Sequence, residues 1–234
     1  QIVDSLHAAA GKPIDSEEIT FVRDGRHTLD RRQTLGVPRR AWMFAGLNNE
    51  RDRPSLALPH AQTTVDVLEA FGWNGSRQTP IFERSTDPNL LQPGILANGT
   101  LVHSLSRASW RSELADLAVE AKSPDTILDE IFLRFLCRKP RDAERAVFLP
   151  ALSEGFETRL VPETEQVMPK APEPLPLVTW LNHVSPEANS IQIEVEKRVR
   201  QGSPPDPRLR DAWREIYEDL VWNLINDREF VWIP

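Results

Sequence analysis

The chain has 234 residues, of which 40% are hydrophobic and 27% charged, and its formal net charge at pH 7 is −7. This composition is ordinary for a globular protein that is long enough to bury a sizeable core. The acidic balance and the lack of a long basic run argue against a nucleic-acid partner, and no apolar stretch approaches the ~20 residues that a transmembrane helix needs.

The N-terminal third alternates between helical and aperiodic sequence. Residues 2–10 place their apolar side chains on one helical face, and Gly11 with Pro13 predicts the end of that helix. Residues 12–59 show no sustained period, so we expect extended or irregular chain there. Residues 60–73 return to helical spacing and predict a second helix.

Four further helices are predicted from one start signal, an N-capping Ser or Asp followed by proline at the first helical position. The pairs are Asp87–Pro88, Ser123–Pro124, Ser185–Pro186 and Asp206–Pro207. The helix after Ser123 has a wide apolar face and should be central, with Cys137 buried at its end as a small hydrophobe. Pro93 either lies in the first turns of its helix or kinks it. Pro150 predicts a helix break, because proline inside a helix costs about 3 kcal/mol.

Residues 157–178 contain five prolines and no helical stripe, which predicts an extended, partly polyproline II segment. The organisation that follows is a helical body (1–156), a Pro-rich linker or excursion (157–184) and a C-terminal helix pair (185–234) that packs back on the body. We therefore predict a mainly α fold, one irregular multi-helix domain with long loops.

The end of the chain predicts a core helix. Trp213, Leu220 and Leu224 recur at helical spacing, so residues 207–226 should pack on the helix at 124–137 with these side chains inward. The acidic residues of this helix fall mainly on the other side, which we interpret as a solvated face: Asp211, Glu215, Glu218 and Asp219. On that interpretation Glu218→Ala costs less than about 0.5 kcal/mol.

Two polar clusters and several arginines are candidates for binding. Residues 48–54 concentrate amide and charged side chains before a proline, and Trp180 stands beside polar residues next to the Pro-rich segment. Trp with Asn and Arg nearby can bind a sugar or a peptide; the alternatives are a solvated turn, a linker anchor, or arginines in buried ion pairs. The candidate binding residues are Arg39, Arg40, Trp42, Glu50, Arg51, Arg84, Trp180, Asn182 and His183.

Signatures of metal, cofactor and nucleophilic chemistry are absent from the sequence. The five histidines (His7, His27, His60, His103 and His183) are too far apart in sequence for a helical or loop metal motif. The single cysteine permits neither an intrachain disulfide nor a haem-attachment motif. Nucleophile-elbow, P-loop and dinucleotide fingerprints are also missing. We therefore expect no cofactor, no metal and no catalytic residue within this chain.

Several segments resemble the planctomycete C-terminal family catalogued as domain of unknown function 1553. The residues that match its closing pattern are Asp219, Leu220, Trp222, Leu224, Asn226, Glu229 and Phe230. Those that match an earlier helical pattern are Leu133, Leu136, Arg138, Pro140 and Glu144. Those that match a third pattern are Arg84, Gln92, Leu96 and Asn98, and "RRAW" at 39–42 fits a fourth. The resemblance covers roughly residues 35–155 and 207–232.

The resemblance implies a place in a larger protein rather than an activity. Members are usually the C-terminal part of long exported proteins, often with an upstream cytochrome c-like domain, and no activity is established for them. From the resemblance we expect this chain, which starts with Gln1, to be a piece of an extracytoplasmic protein (periplasm or cell surface), with other domains or subunits of that protein as its partners.

Two hypotheses for function remain. The first is a non-catalytic interaction or scaffold module. The second is a domain of a polysaccharide-acting enzyme that uses carboxylates of the last helix or of residues 48–54 as acid and base. The enzyme would need two carboxylates about 5–10 Å apart in one cleft.

Overall fold

The computed structural model describes residues 2–12, 58–73, 89–176, 178 and 181–231. Within them the fold is mainly α, as predicted, and the β structure consists of two isolated antiparallel bridges, Ser109 to Pro205 and Leu160 to Leu209. The helices are α1 (Ile2–Ala10), α2 (Pro59–Ala70), α3 (Leu91–Asn98), α4 (Thr100–Ser106), α5 (Glu113–Glu120), α6 (Pro124–Leu136), α7 (Asp142–Ser153), α8 (Pro186–Gln201), α9 (Asp211–Ile225) and α10 (Arg228–Val231).

The chain divides into two compact units. The first comprises Gln1, Pro13–Ile95 and Pro172–Gly202, and its helices α2 and α8 pack against each other. The second comprises Ile2–Lys12, Leu96–Ala171 and Ser203–Pro234. The helices α8 and α9, which the sequence predicts as a pair, therefore belong to different units.

Helix α9 is the centre of the second unit. It packs on α4, α6 and α7, and its inward residues Trp213, Leu220 and Leu224 are buried, as predicted. The buried polar tips on this face have partners: Trp213 Nε1 donates to Leu152 O at 2.9 Å, and Tyr217 Oη donates to Leu114 O at 2.9 Å. Each aromatic residue thus contributes apolar area without leaving an unsatisfied donor.

The predicted helix starts are confirmed where the capping residue acts locally. Ser123 and Ser185 occupy the N-cap positions of α6 and α8, and each Oγ accepts a backbone N–H three residues on, at 3.2 Å. The five apolar residues predicted for the face of α6 are all buried: Ile127, Leu128, Ile131, Phe132 and Phe135. Local side-chain chemistry therefore sets where these helices begin.

The helix start predicted at Asp206 is wrong, because α9 begins at Asp211. The buried Asp206 carboxylate instead accepts from Arg208 N and Arg208 Nε, both at 2.9 Å, and Leu209 N donates to Asp206 O at 3.2 Å. This closes a turn, after which the bridge from Leu160 to Leu209 keeps the chain extended up to the helix. Aspartate followed by proline starts turns as readily as helices.

Helix α3 begins at Leu91, whose N–H donates to Asn89 Oδ1 at 2.9 Å. Pro93 therefore lies in the first turn, where its missing N–H has no intrahelical acceptor in any case. Gly99 separates α3 from α4, so the single helix predicted for this stretch is two. Asp87 and Pro88 lie outside the described residues.

Two expectations about helix ends are wrong. Helix α7 continues through Pro150 to Ser153. Because Pro150 lies in the last turn, the helix loses one backbone hydrogen bond, the one to the carbonyl of the exposed residue Ala146, which water can reach. Cys137 is exposed rather than buried. It caps α6 in the left-handed conformation, with φ of 54°, which turns its side chain away from the apolar face of the helix.

The Pro-rich segment has no regular helix in its described residues beyond one 3₁₀ turn at Phe156–Thr158, as predicted. Its first part is not a free linker, however. Val161 N donates to Arg208 O and Arg210 N donates to Arg159 O, at 2.9 and 2.8 Å. These bonds fix the start of the segment to the second unit.

Candidate functional site

Glu218 lies in a partly buried charge cluster where α9 meets the end of α4. Its side chain is 13% exposed, and its Oε1 accepts a hydrogen bond from Ala108 N at 2.9 Å. Arg214 Nε lies 3.2 Å from Oε1 and Arg107 Nε lies 3.9 Å from Oε2. The prediction that Glu218 faces solvent is therefore wrong, because the chain that leaves α4 covers this side of α9.

Lys12 supplies a third cation to this cluster. Its Nζ donates to Ser104 O at 2.6 Å and to Arg107 O at 2.8 Å, which are carbonyls at the C-terminal end of α4. Such carbonyls lack intrahelical partners and favour a cation. Gly11, the residue before Lys12, has a φ of 60°, in the left-handed region. A Cβ atom at this position would collide with the side chain of Glu113.

Burial dominates the electrostatics of this cluster, which we call the Glu218 cluster (Lys12, Arg107, Arg214 and Glu218). It raises the pKa of Glu218 above its ordinary value, although Arg214, the Ala108 N–H, Arg107 and Lys12 all act in the opposite direction. Burial also lowers the pKa of Lys12 to about 8, against the pull of Glu218. A carboxylic acid with a raised pKa is a typical general acid, but that chemistry needs a second group in the same cleft.

The other acids of α9 do not provide that second group. The side chains of Asp211 and Glu215 are 80% and 69% exposed, and Asp219 is exposed as well. Glu218 instead faces the backbone that follows α4. Among the described residues, the last helix therefore presents one enclosed carboxylate and three solvated ones rather than an acid pair across a cleft.

A second network connects the end of α6 with α7 and α10. The Arg138 guanidinium binds both oxygens of Glu144, at 2.8 and 2.7 Å, and its Nε donates to Glu229 at 2.7 Å. Arg141 also donates to Glu229, at 2.7 Å. We call these four residues the Arg138 network. The hydrogen bonds from Arg138 lower the pKa of Glu144 to about 2, against the effect of burial.

The residues that carry the family resemblance meet in this part of the fold. Arg138 and Glu144 come from one pattern and Glu229 from another, and the rings of Phe135 and Phe230 lie 6.0 Å apart. Trp222 Nε1, from the closing pattern, donates to Ala97 O at 3.0 Å, between two matched residues of the third pattern. These matched residues thus lie in contacts between helices of the second unit.

The Pro-rich segment is docked at its start and displayed further on. The Arg159 guanidinium, at the start, donates to the carbonyls of Ala118, Val119, Ala121 and Phe156, and it lies 3.8 Å from the ring centroid of Phe156. Beyond residue 166 the side chains turn outward: Val167 is 83% exposed and Met168 54%. Val167 and Met168 thus form an adjacent pair of exposed apolar side chains in the part of the chain that follows the docked residues.

Most of the candidate binding residues lie outside the described part of the chain, so they stay predictions: Arg39, Arg40, Trp42, Glu50, Arg51, Arg84 and Trp180. Asn182 and His183 lie in the turn before α8, where Asn182 O accepts from Ser185 N at 3.0 Å. Asn182 is exposed and His183 half-buried. Their binding role also stays a prediction.

The described segments hold no group of three His, Cys, Asp or Glu side chains arranged to bind a metal ion. No helix in those segments is both long and apolar enough to cross a bilayer.

Sequence reasoning missed the Glu218 cluster, although a signal for it was present. Arg214, Glu218, Val221 and Ile225 follow a spacing of four, three and four, so they share a face with two buried aliphatic residues. An acid on such a face needs a partner, and Arg214 one turn before it is the natural one.

Comparison with known proteins gives one match. The model of the family described as "PSD1: Protein of unknown function (DUF1553)" matches residues 1–152. The chain therefore belongs to this family, as the resemblance indicated, although the match includes the first 34 residues and leaves the closing pattern outside it. No curated protein and no solved structure matches the chain.

Proposed function

We propose that this chain is a non-catalytic interaction module of a larger exported protein. The observation that carries the proposal is the exposure of the apolar side chains of Val167 and Met168, in the stretch that follows the docked residues 159–161 of the second unit. Within the first unit, Arg198 Nη1 donates to Glu173 O at 2.7 Å. An extended segment that is held in place and still exposes apolar side chains is suited to binding another protein.

The charges of the second unit support the same view. Its buried acids and cations pair with each other or with backbone groups, as in the Glu218 cluster and the Arg138 network. A catalytic site keeps such groups directed at a substrate. Here they connect helices, so their first role is to stabilise the fold that presents the segment.

The proposal places the module outside the cytoplasm, among other domains or subunits of the same protein. The support is membership of the family, whose resemblance implies export and a C-terminal position. A fold that uses no disulfide is compatible with that location, because a chain of this length can bury enough apolar area without one.

The test is the assembly state of the intact protein in its own cells. We expect the native complex, measured by size-exclusion chromatography with light scattering, to lose more mass than the 26.6 kDa of each deleted module when the coding sequence for residues 1–234 is deleted. Glu215→Gln, at a solvated acid of the same helix, is the matched variant in the intact protein, and it should leave the complex unchanged.

The enzyme alternative predicts the reverse result. Deletion would remove only the mass of the module itself from the complex, and both deletion and Glu218→Gln would abolish release of reducing sugar from cell-wall polysaccharide. That outcome would overturn the interaction proposal.

A further inference from the structure

The sequence between Val167 and Pro176, "VMPKAPEPLP", contains four prolines and no glycine. Each proline fixes φ near −65° and removes a backbone donor, and each also disfavours helical conformation in the residue before it. The described part of the chain gives this stretch no helix and no bridge. Polyproline II is the conformation that these restrictions leave.

Polyproline II has three residues per turn, so side chains three apart form a ridge. The first ridge consists of Pro169, Pro172 and Leu175, and the second of Met168, Ala171 and Pro174. Both are wholly apolar. The charged residues Lys170 and Glu173 both fall on the third ridge, together with Val167 and Pro176.

Exposure distinguishes the first ridge from the other two, whose residues are all exposed. On the first ridge Pro169 and Leu175 are half-buried, whereas every residue of the second ridge is exposed, with Met168 at 54%. The second ridge is therefore an apolar ridge whose side chains are all exposed.

The backbone of this stretch is available as well. In the described part of the chain its one hydrogen bond is the one from Arg198 Nη1 to Glu173 O. Arg198 is itself held by Glu194, at 3.1 Å. The remaining carbonyls can accept hydrogen bonds from a partner, and a stretch that is already extended loses little conformational entropy when it binds.

We propose that residues 167–176 are a polyproline II ligand that docks its second ridge, and Pro172 of the first, in an aromatic-lined groove of a partner protein. This rests on the proposed function and names the surface that carries it. Aromatic rings accept proline and methionine side chains on their faces, and Trp or Tyr donors between the rings reach the backbone carbonyls.

An acidic membrane surface is a poorer partner than a protein groove. The neighbouring acids Glu163, Glu165 and Glu173, together with the chain's net charge of −7, oppose approach to anionic lipid. A groove that contacts only the apolar ridge avoids these charges.

The experiment titrates the intact 234-residue chain into three ¹⁵N-labelled probe domains that bind polyproline II ligands, of the SH3, WW and EVH1 types. We expect saturable chemical-shift changes at the groove aromatics of at least one probe. If no probe responds, the proposal is overturned. Shifts confined to charged surfaces away from the groove would overturn it too.

Two adjacent substitutions test the ridge assignment with the same new side chain. Ala171→Glu places a charge on the second ridge and should weaken binding to the responding probe roughly tenfold or more, about 1.4 kcal/mol. Lys170→Glu places it on the third ridge and should change the affinity by less than about twofold, although it alters the net charge more. Equal effects of the two variants would overturn the proposal. Circular dichroism melts check that both variants are folded.

The size of the native complex in these two variants shows whether the polyproline II proposal fails separately from the proposed interaction function. If deletion of the whole module shrinks the native complex by more than the module's own mass while Ala171→Glu leaves it intact, the module acts through another surface and the ridge proposal fails. When both changes shrink the complex and Lys170→Glu does not, both proposals hold. A complex that loses only the module's own mass on deletion and is unchanged by Ala171→Glu refutes both.

Discussion

The Glu218 cluster and the Arg138 network are built from the same kinds of groups, yet they move the pKa of their central acid in opposite directions. Burial raises the pKa of Glu218, whereas hydrogen bonds from Arg138 lower that of Glu144 to about 2. The two carboxylates differ little in exposure, at 13% and 22% of the side chain. Burial alone therefore does not explain the contrast.

Hydrogen-bond geometry explains it. Both oxygens of Glu144 bind the Arg138 guanidinium, and Arg141 N donates a third bond at 2.7 Å. Glu218 receives one backbone N–H at 2.9 Å, and its cations remain at 3.2 Å and beyond, without a bidentate contact. Three cations placed near an acid thus stabilise its charge less than one guanidinium aligned with it.

Removing the central acid of the Glu218 cluster should produce the largest effect. Glu218→Ala removes the enclosed carboxylate that faces Arg214 and Lys12, and it leaves Arg214, 6% exposed, with the solvated Asp211 as its nearest acid, so we expect a loss of about 3 kcal/mol in unfolding free energy. Urea midpoints at pH 7 measure it. Glu215→Ala is the control on the same helix and should stay within about 0.5 kcal/mol. Equal, small losses in both variants would mean that the cluster is peripheral.

Alkaline pH should reveal how burial of Lys12 in the Glu218 cluster affects the unfolding free energy. Its pKa is about 8 in the folded chain against 10.5 when solvated, so the protonated form carries a folding penalty below pH 8. Between these values the unfolded chain holds a proton that the folded chain has released, and stability therefore rises with pH. We expect a gain of about 1–2 kcal/mol between pH 8 and 10, and its loss in Lys12→Met.

The pH range of this measurement has to exclude the titration of Tyr217. Burial raises the pKa of Tyr217 as well, and that tyrosine favours the unfolded state above pH 10, so urea titrations should end there. A wild-type curve parallel to that of Lys12→Met between pH 8 and 10 would contradict the assignment.

Acid pH should probe the Arg138 network, with an effect no larger than that of Lys12. The folded pKa of Glu144, about 2, lies below its ordinary 4.5. Its stabilisation is therefore complete above pH 4.5 and disappears as the pH falls through 2. Glu144→Gln should cost about 1–2 kcal/mol at pH 7 and flatten the acid limb of the stability curve. Glu154→Gln, at the exposed end of α7, should leave that limb unchanged.

The parts of the fold that the sequence predicted are those that local chemistry controls. The starts of α6 and α8 depend on Ser123 and Ser185, whose partners lie three residues away. The buried stripe of α9 depends on helical periodicity alone. Asp206 was misassigned because the extended stretch that follows its turn depends on Leu160, far away in sequence.

The candidate sites were harder to predict for the same reason. The position of Glu218 depends on Ala108, 110 residues away, and the carbonyls that bind Lys12 lie 92 and 95 residues beyond it. The five prolines of residues 157–178 predicted an extended chain there. They could not predict that Arg159 anchors the start of the segment to α5, or that the Met168 side chain is exposed. Such contacts arise only when distant segments pack.

The left-handed cap of α6 makes the protein convenient for spectroscopy. Because Cys137 is the single cysteine of the sequence and is exposed, one maleimide-linked spin label or fluorophore can be attached without removing any other thiol. The label would stand next to Arg138, at the junction of α6, α7 and α10. Its mobility would then report separation of these helices during acid titration, independently of the seven tryptophans that dominate intrinsic fluorescence.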